Sequence, residues 1–206
     1  MRQIPRDMLN ELAARAFVGV LFVLLSMRFW TDFTRTGRMT GLLFVASEAL
    51  VVALTIVRRR ANVVDRSLTS AVLTTISVLA PPLLRASTKA PLVPDALTVM
   101  VSTVGVAIVI YGKLTIGRSF GIAPANRGVV ARGPYNVVRH PIYAGYLLTH
   151  AAALAAYPSL WNVGLILAGD TALVLRALAE ERVLSADREY QVYCGRVAWH
   201  LVPGVF

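Results

Sequence analysis

A short polar stretch, residues 133–143, carries the side chains best suited to chemistry in this chain. It reads Gly-Pro-Tyr-Asn-Val-Val-Arg-His-Pro-Ile-Tyr, and an apolar segment follows it at once. Pro141 suits the first turn of a helix, where its missing N–H costs nothing. A helix that begins there presents free N–H groups beside Arg139 and His140, and such helix ends attract anions. With Tyr143 close by, these residues could bind a small polar ligand that bears a carboxylate.

A second polar cluster follows the last apolar segment. It contains Arg176, Glu180, Glu181, Tyr190, Tyr193 and Arg196. Arg176 and Glu180 are four residues apart, so they share a face of a helix. Arg176 comes after a long apolar run and should lie at or just below a membrane surface, where a charge normally has a partner or a function. Simpler interpretations stay open: interfacial anchors for both clusters and a surface salt bridge between Arg176 and Glu180.

The composition indicates that these clusters belong to an integral membrane protein. The chain is 56% hydrophobic and 16% charged, with a mean hydropathy of +0.63. A net charge of +10 fits basic cytoplasmic loops better than nucleic-acid binding, because no basic run is interleaved with base-stacking aromatics. The single cysteine, Cys194, excludes an internal disulfide, and no Cys/His set predicts a metal site. Phosphate-binding and dinucleotide-binding glycine motifs are also missing from the sequence.

The apolar pattern predicts an all-α, polytopic helical bundle with about six transmembrane helices. The segments are 12–30, 40–57, 67–84, 96–116, 142–157 and 160–179. Tyr157-Pro158-Ser159 should form a tight turn that makes a hairpin of the last two helices. Pro81-Pro82 should kink or end the third helix. Glu48, His150 and Asp170 fall within apolar segments, and we interpret them as structural polar contacts between helices, with a proton or ion path as the alternative.

The distribution of basic residues predicts the orientation of the bundle. With the N-terminus inside, arginines concentrate in the inner segments, which places both polar clusters and both termini on the cytoplasmic side. Residues 1–206 then form a single membrane domain, in which 1–116 supply four helices and 117–206 carry both clusters. The tail, 180–206, should pack against the loop 117–141. The preference for Arg over Lys hints at a bacterial protein, and hence at the inner membrane.

Together, the two clusters resemble the isoprenylcysteine carboxyl methyltransferase family, which is related to membrane phospholipid methyltransferases. That family has Gly-x-Tyr, Arg-His-Pro-x-Tyr, a helical hairpin, a Glu-Glu pair, and Tyr-x-x-Tyr with a downstream Arg and Pro. The matching residues are Gly133, Tyr135, Arg139, His140, Pro141, Tyr143, Glu180, Glu181, Tyr190, Tyr193, Arg196 and Pro203. The resemblance covers about residues 117–204. One difference is that relatives often carry Phe-Gly before Tyr-x-x-Tyr, whereas residues 185–189 here read Ser-Ala-Asp-Arg-Glu.

The resemblance implies a cofactor, a substrate class and roles for particular residues. The cofactor is S-adenosyl-L-methionine, and the substrate is a lipophilic molecule that enters from the bilayer. The residues expected at the cofactor are Arg127, Gly128, Val129, Val130, Tyr135, Arg139, His140, Pro141, Ile142, Tyr143, Glu180 and Glu181. Arg176, Tyr190 and Arg196 are expected at the substrate, and Arg176 and Glu180 are the candidate catalytic residues.

The function that the resemblance implies is methylation of a lipophilic acceptor, most simply the carboxylate of an isoprenoid or other lipid acid. A carboxylate is already ionised at neutral pH, so its methylation needs alignment and exclusion of water rather than a strong base. Two other enzymes remain as alternatives: a phospholipid amine N-methyltransferase, with Glu181 as a candidate base, and an NADPH-dependent sterol or enone reductase. A transporter or scaffold would leave the polar clusters unexplained.

Overall fold

A computed structural model describes residues 15–16, 19–24, 26–27, 30–31, 33–34, 39–59, 61, 63–85 and 90–206. The chain divides into two compact units, Met1–Arg58 and Arg59–Phe206. In the first unit, the described residues between 15 and 34 are helical, and helix α1 spans Met39–Val57. The predicted apolar segment 12–30 falls partly outside the described residues, and so does the side chain of Glu48.

The second unit contains the remaining helices and one short antiparallel ribbon. Its elements are β1 (Val63–Val64), α2 (Leu68–Leu79), α3 (Asp95–Ile116), β2 (Ala125–Asn126), α4 (Pro141–Ala156), α5 (Leu160–Leu184) and α6 (Arg188–Arg196). Single 3₁₀ turns lie at Pro81–Leu83, Gly117–Ser119 and Gly133–Asn136. In the ribbon, Val63 faces Asn126 and Val64 faces Ala125. The described residues are therefore mostly helical, as the sequence predicts, and the ribbon is an addition.

The helix ends follow the chemistry of the residues found there. Pro141 is the first residue of α4, where a proline is tolerated. The Pro81–Leu83 turn follows α2 directly, so the prediction that Pro81-Pro82 ends this helix is confirmed. Ser159 caps α5 by accepting a hydrogen bond from the N–H of Asn162 at 3.1 Å. The turn between α4 and α5 is thus as short as the sequence predicts.

Glycines allow α3 and α4 to pack at very close range. A Cβ atom on Gly145 of α4 would lie 2.7 Å from the carbonyl oxygen of Gly105 on α3. A Cβ on Gly112 would lie 2.7 Å from the side chain of Ile142, at the start of α4. Real Cβ atoms do not approach other atoms so closely, so only glycine fits. This contact holds the beginning of α4, and with it the Arg139-His140 stretch, against the end of α3.

On its other side, the hairpin of α4 and α5 contacts α2. α2 packs along α5, and a Cβ on Gly169 would lie 2.9 Å from the Cβ of Ala80. The short α2 therefore lies beside the half of α5 that leads to Arg176. Through this packing, a helix without any recognisable motif reaches one of the polar clusters.

Two helices of the described residues are long and apolar enough to cross a membrane. They cover Asp95–Ser119 and Leu160–Leu184, each of 25 residues, and their most apolar windows have mean hydropathies of 1.9 and 1.5. α4 has 16 residues and α2 has 12, both below the ~20 residues of a full helical span. The helical, membrane-associated character of the chain agrees with the prediction. The full set of six spans and the orientation remain predictions.

An ionisable pair joins α4 to α5 within the apolar segments. Nδ1 of His150 lies 2.5 Å from Oδ1 of Asp170, and the His150 ring stacks on the ring of Tyr146 at 6.2 Å between centroids. A hydrogen bond between two packed helices satisfies groups that would otherwise be costly to bury. His150 and Asp170 therefore make a polar contact between two helices, as the structural interpretation requires.

Candidate active site

The carboxylate of Glu181, in the last turn of α5, joins the two polar clusters. Nη1 of Arg139 donates to its Oε2 at 2.9 Å, while Nε2 of His140 and Nδ1 of His200 donate to its Oε1 at 2.9 and 2.6 Å. Since an ionised carboxylate only accepts hydrogen bonds, each imidazole nitrogen here carries a proton. The Glu181 side chain is only 13% exposed. Its oxygens are thus largely occupied by protein donors.

Backbone hydrogen bonds attach the C-terminal tail to the same stretch. The N–H groups of Arg139 and His140 donate to the carbonyls of Trp199 and His200, each at 2.9 Å. Nε of Arg139 donates to the carbonyl of Val197 at 2.8 Å. Arg139 therefore uses both its backbone and its guanidinium to hold the tail. These contacts confirm the prediction that the tail packs against the loop 117–141.

Glu180, the neighbour of Glu181, has a different environment. Its Oε2 accepts a hydrogen bond from the hydroxyl of Tyr143 at 2.9 Å. The Tyr143 ring also stacks against the ring of His140 at 5.3 Å between centroids. Among the described residues, the hydroxyl of Tyr143 donates the one hydrogen bond that the Glu180 side chain accepts. Most of the acceptor capacity of this carboxylate therefore stays available. Glu180 is thus the carboxylate of the pair that is better placed to bind a ligand.

Arg176 lies one turn before Glu180 and is buried, with 7% of its surface exposed. Its guanidinium carbon lies 5.1 Å from the centre of the Tyr143 ring, and its Nη1 donates to Oγ of Ser77 at 3.3 Å. Its Nε is buried without a hydrogen-bond partner, and no carboxylate pairs with it among the described residues. Arg176 and Glu180 therefore do not form the surface salt bridge that was the simpler interpretation. A buried guanidinium in this state is suited to bind an anion.

The tyrosines of the tail pack beneath these groups. Tyr193 donates its hydroxyl to the carbonyl of Tyr135 at 2.7 Å, which connects α6 to the 3₁₀ turn at Gly133–Asn136. Burial raises the pKa of the phenols of Tyr135 and Tyr193 above the ordinary range, so both stay neutral donors. Tyr190 is also buried, and its hydroxyl has no hydrogen-bond partner. It borders a groove of about 480 Å³ between α5 and α6.

The segment 127–130 lies in the loop that precedes the first cluster. Gly128 has a φ of +96°, a conformation that favours glycine, and its N–H donates to the side chain of Asn126 at 2.9 Å. Asn126 in turn donates to the carboxylate of Asp187, the N-cap of α6, at 2.9 Å. This amide and the N–H of Glu189 hold the pKa of Asp187 below its ordinary value. The loop is thereby fixed to the start of α6.

The structure brings most of the predicted site residues to one end of the hairpin. Arg139, His140, Tyr143, Arg176, Glu180 and Glu181 form connected contacts there. Val129 packs against the buried cluster of Tyr190, Tyr193 and Val197. Arg127 is buried with its guanidinium over Gly121. Arg196 is exposed at the C-terminal end of α6.

Four residues of these contacts were not predicted from the sequence. None of them belongs to a motif in the sequence: they are His200, Ser77, Asn126 and Asp187. The signal for Asp187 was present, because an Asp just before a short polar helix is a typical N-cap. Ser77 gave no such signal, since serines are ordinary in apolar helices and its role depends on how α2 packs.

Comparison with known proteins agrees with this geometry. The family model described as phospholipid methyltransferase matches residues 96–187. No curated protein matches the chain. The matched segment runs from α3 to the N-cap of α6 and includes Arg139, Tyr143, Arg176 and Glu180. Over this segment the chain is similar to the phospholipid methyltransferase family, a family of membrane methyltransferases, and the resemblance drawn from the two clusters is confirmed.

Proposed function

We propose that this protein transfers a methyl group from S-adenosyl-L-methionine to the carboxylate of a lipophilic acid, such as an isoprenoid acid. The observation that carries the proposal is the state of Arg176. A guanidinium that is 7% exposed, with a buried unpartnered Nε and a neutral hydroxyl as its hydrogen-bond acceptor, is poised for an anionic ligand. Its planar donors match a carboxylate in a bidentate arrangement.

The residues beside Arg176 fit the cofactor. S-adenosyl-L-methionine carries an ammonium, ribose hydroxyls and a carboxylate, and it supplies an electrophilic methyl group when bound. Glu180 has acceptor capacity for the ammonium or the hydroxyls, because Tyr143 uses only part of it. The first N–H groups of α4 suit the carboxylate. Tyr143 offers a ring face between the two sites.

The tasks of the protein in this reaction are positioning and exclusion of water. Arg176 would orient the acceptor carboxylate, and its burial keeps water from the attacking oxygen. No proton has to be removed from an ionised carboxylate, which agrees with the engagement of Glu181 by three protein donors. Glu181 would instead hold Arg139, His140 and His200 in place around the cofactor.

The location that we propose is a bacterial inner membrane, with the site facing the cytoplasm and the acceptor entering from the bilayer. Exposed arginines support this orientation. Arg118, Arg132, Arg182 and Arg188 are exposed, and all of them belong to the end of the bundle that holds Glu181. Basic residues of this kind favour the cytoplasmic side. A cytosolic cofactor and a membrane-borne acceptor would then meet at the end of α5.

N-methylation of a phospholipid amine is the second candidate, and the description of the matching family favours it. A protonated amine must lose a proton before it attacks, so this reaction needs a base. Glu181 is poorly suited because its oxygens already accept three hydrogen bonds. Glu180 would be the base, and the buried charge of Arg176 would then contact the lipid phosphate.

Transfer of a labelled methyl group in detergent micelles tests the two acceptors directly. We expect methylation of farnesoate, an isoprenoid carboxylate, and not of phosphatidylethanolamine. Arg176→Ala should lower kcat/KM for farnesoate about 100-fold, since a charged hydrogen-bond pair contributes about 1.5–3 kcal/mol, while the affinity for S-adenosylhomocysteine stays within about twofold. If the labelled methyl group were transferred to phosphatidylethanolamine and not to farnesoate, the amine reaction would replace the proposed one.

A further inference from the structure

Ser77, on the buried side of α2, contacts the guanidinium that we assign to the acceptor. Ser77 is 8% exposed, and its Oγ accepts a hydrogen bond from Nη1 of Arg176 at 3.3 Å. The two residues are 99 positions apart in the sequence. Arg176 lies eight residues before the end of α5, which is about 12 Å along the helix axis. The contact is therefore made between two buried side chains, about two turns before the end of α5.

The hydroxyl of Ser77 has a defined orientation. It donates its own proton to the backbone carbonyl of Thr74 at 3.0 Å. A hydroxyl has one proton and two lone pairs, so this donation turns the lone pairs away from Thr74. A lone pair is then available to Nη1 of Arg176. Ser77 can act toward Arg176 only as an acceptor in this arrangement.

The neutrality of Ser77 matters for the charge of Arg176. A carboxylate in its place would neutralise the guanidinium and compete with an anionic ligand. A hydroxyl fixes the direction of one N–H group and leaves the positive charge uncompensated. The ring of Tyr143, 5.1 Å from the guanidinium carbon, restrains another side of the group in the same neutral way. Ser77 and Tyr143 thus hold Arg176 in place without neutralising its positive charge.

We infer that Ser77 is a positioning residue for the acceptor site. It holds Arg176 in the geometry that binds the acceptor anion. Through Ser77, α2 thus contributes to the affinity for the substrate, although this helix carries no recognisable motif. The inference rests on the proposed function in one respect, the assignment of Arg176 to the acceptor. It adds that the loss of a single neutral hydroxyl weakens the acceptor site and leaves the cofactor site unchanged.

Calorimetric binding to the full-length protein in detergent tests this inference with two probes, farnesoate and S-adenosylhomocysteine. Ser77→Ala should weaken farnesoate binding about fivefold, the loss expected for one hydrogen bond, and raise KM for farnesoate by a similar factor. The affinity for S-adenosylhomocysteine and kcat at saturating farnesoate should change by less than about twofold. Ser77→Thr keeps the hydroxyl and should restore most of the affinity.

Thr75→Ala is the matched control on the same helix. Thr75 is exposed, and its hydroxyl donates only to the carbonyl of Ala71 at 2.8 Å, so we expect this variant to bind both probes normally. Equal binding of farnesoate by Ser77→Ala and Thr75→Ala would overturn the inference and leave the proposed function standing. Equal weakening of both probes in Ser77→Ala would also overturn it, because the effect would then be one of folding. Wild-type protein that binds S-adenosylhomocysteine but not farnesoate would contradict the carboxylate acceptor and the inference together.

Discussion

At the scale of single residues, neighbouring carboxylates have separate tasks. Glu181 accepts three hydrogen bonds from Arg139, His140 and His200, whereas Glu180 accepts one from Tyr143. The sequence shows only a Glu-Glu pair. The difference arises because consecutive residues of a helix point about 100° apart, so one faces the tail and the other faces Tyr143 and Arg176. From this geometry we propose a structural task for Glu181 and a ligand-binding task for Glu180.

Replacement of Glu180 should weaken cofactor binding. Glu180→Ala removes a carboxylate that we assign to the ammonium or ribose of the cofactor. We expect an affinity for S-adenosylhomocysteine lower by roughly 30-fold, from the loss of about 2 kcal/mol of charged hydrogen bonding. Calorimetry measures it, and Glu189→Ala is the control, because Glu189 is an exposed glutamate in the first turn of α6. Near-normal affinity in Glu180→Ala would remove this residue from the cofactor site.

The sequence predicts which residues meet in this site only for residues that belong to a recognisable local pattern. Arg139, His140 and Tyr143 follow from the position of Pro141 at a helix start, and Arg176 and Glu180 from their spacing on one face. Ser77 and His200 could not be predicted in the same way. Their contacts depend on the packing of α2 against α5 and on the return of the tail, and neither leaves a local pattern in the sequence.

At the scale of elements, the position of α4 depends on its contact with α3. Gly105 and Gly145 let the two backbones approach, and Gly112 makes room for Ile142 beside the first cluster. Small residues at such crossings are typical of helix packing in membranes, where dispersion contacts replace the hydrophobic effect. The helix bounds themselves were predictable from apolar runs and prolines. The close crossing was not, because it depends on glycines of two distant segments.

An alanine at Gly145 should therefore destabilise the second unit. Its Cβ would lie 2.7 Å from both the carbonyl of Gly105 and a methyl of Val109. Overpacking of this kind costs about 1–3 kcal/mol, so we expect a lower Tm in detergent and weaker cofactor binding. Gly164→Ala is the control, because a Cβ there meets nothing within 4 Å, and the change should be neutral or stabilising by up to ~1 kcal/mol. A Gly145→Ala protein with an unchanged Tm would show that α3 and α4 can move apart at no cost.

At the scale of the whole molecule, the polar contacts of the candidate active site all belong to the second unit and lie at one end of its helices. The C-terminal end of α5, the N-terminal end of α4 and the tail converge on Glu181, while the other ends of α4 and α5 meet in a short turn. The sequence predicted this polarity from hydropathy and basic residues. It could not predict that Arg176 is buried within the protein and contacts Ser77 of α2.

The central claim is that this end of the bundle binds S-adenosyl-L-methionine. Calorimetry on the detergent-purified full-length chain, with S-adenosylhomocysteine and NADPH as separate ligands, tests it most directly. We predict micromolar binding of S-adenosylhomocysteine and no binding of NADPH, because Glu180 and the first N–H groups of α4 suit the groups of the first ligand and no dinucleotide-binding glycine motif is present in the sequence. Binding of NADPH alone would contradict the claim and assign the protein to the reductases, and well-folded protein that binds neither ligand would also contradict it.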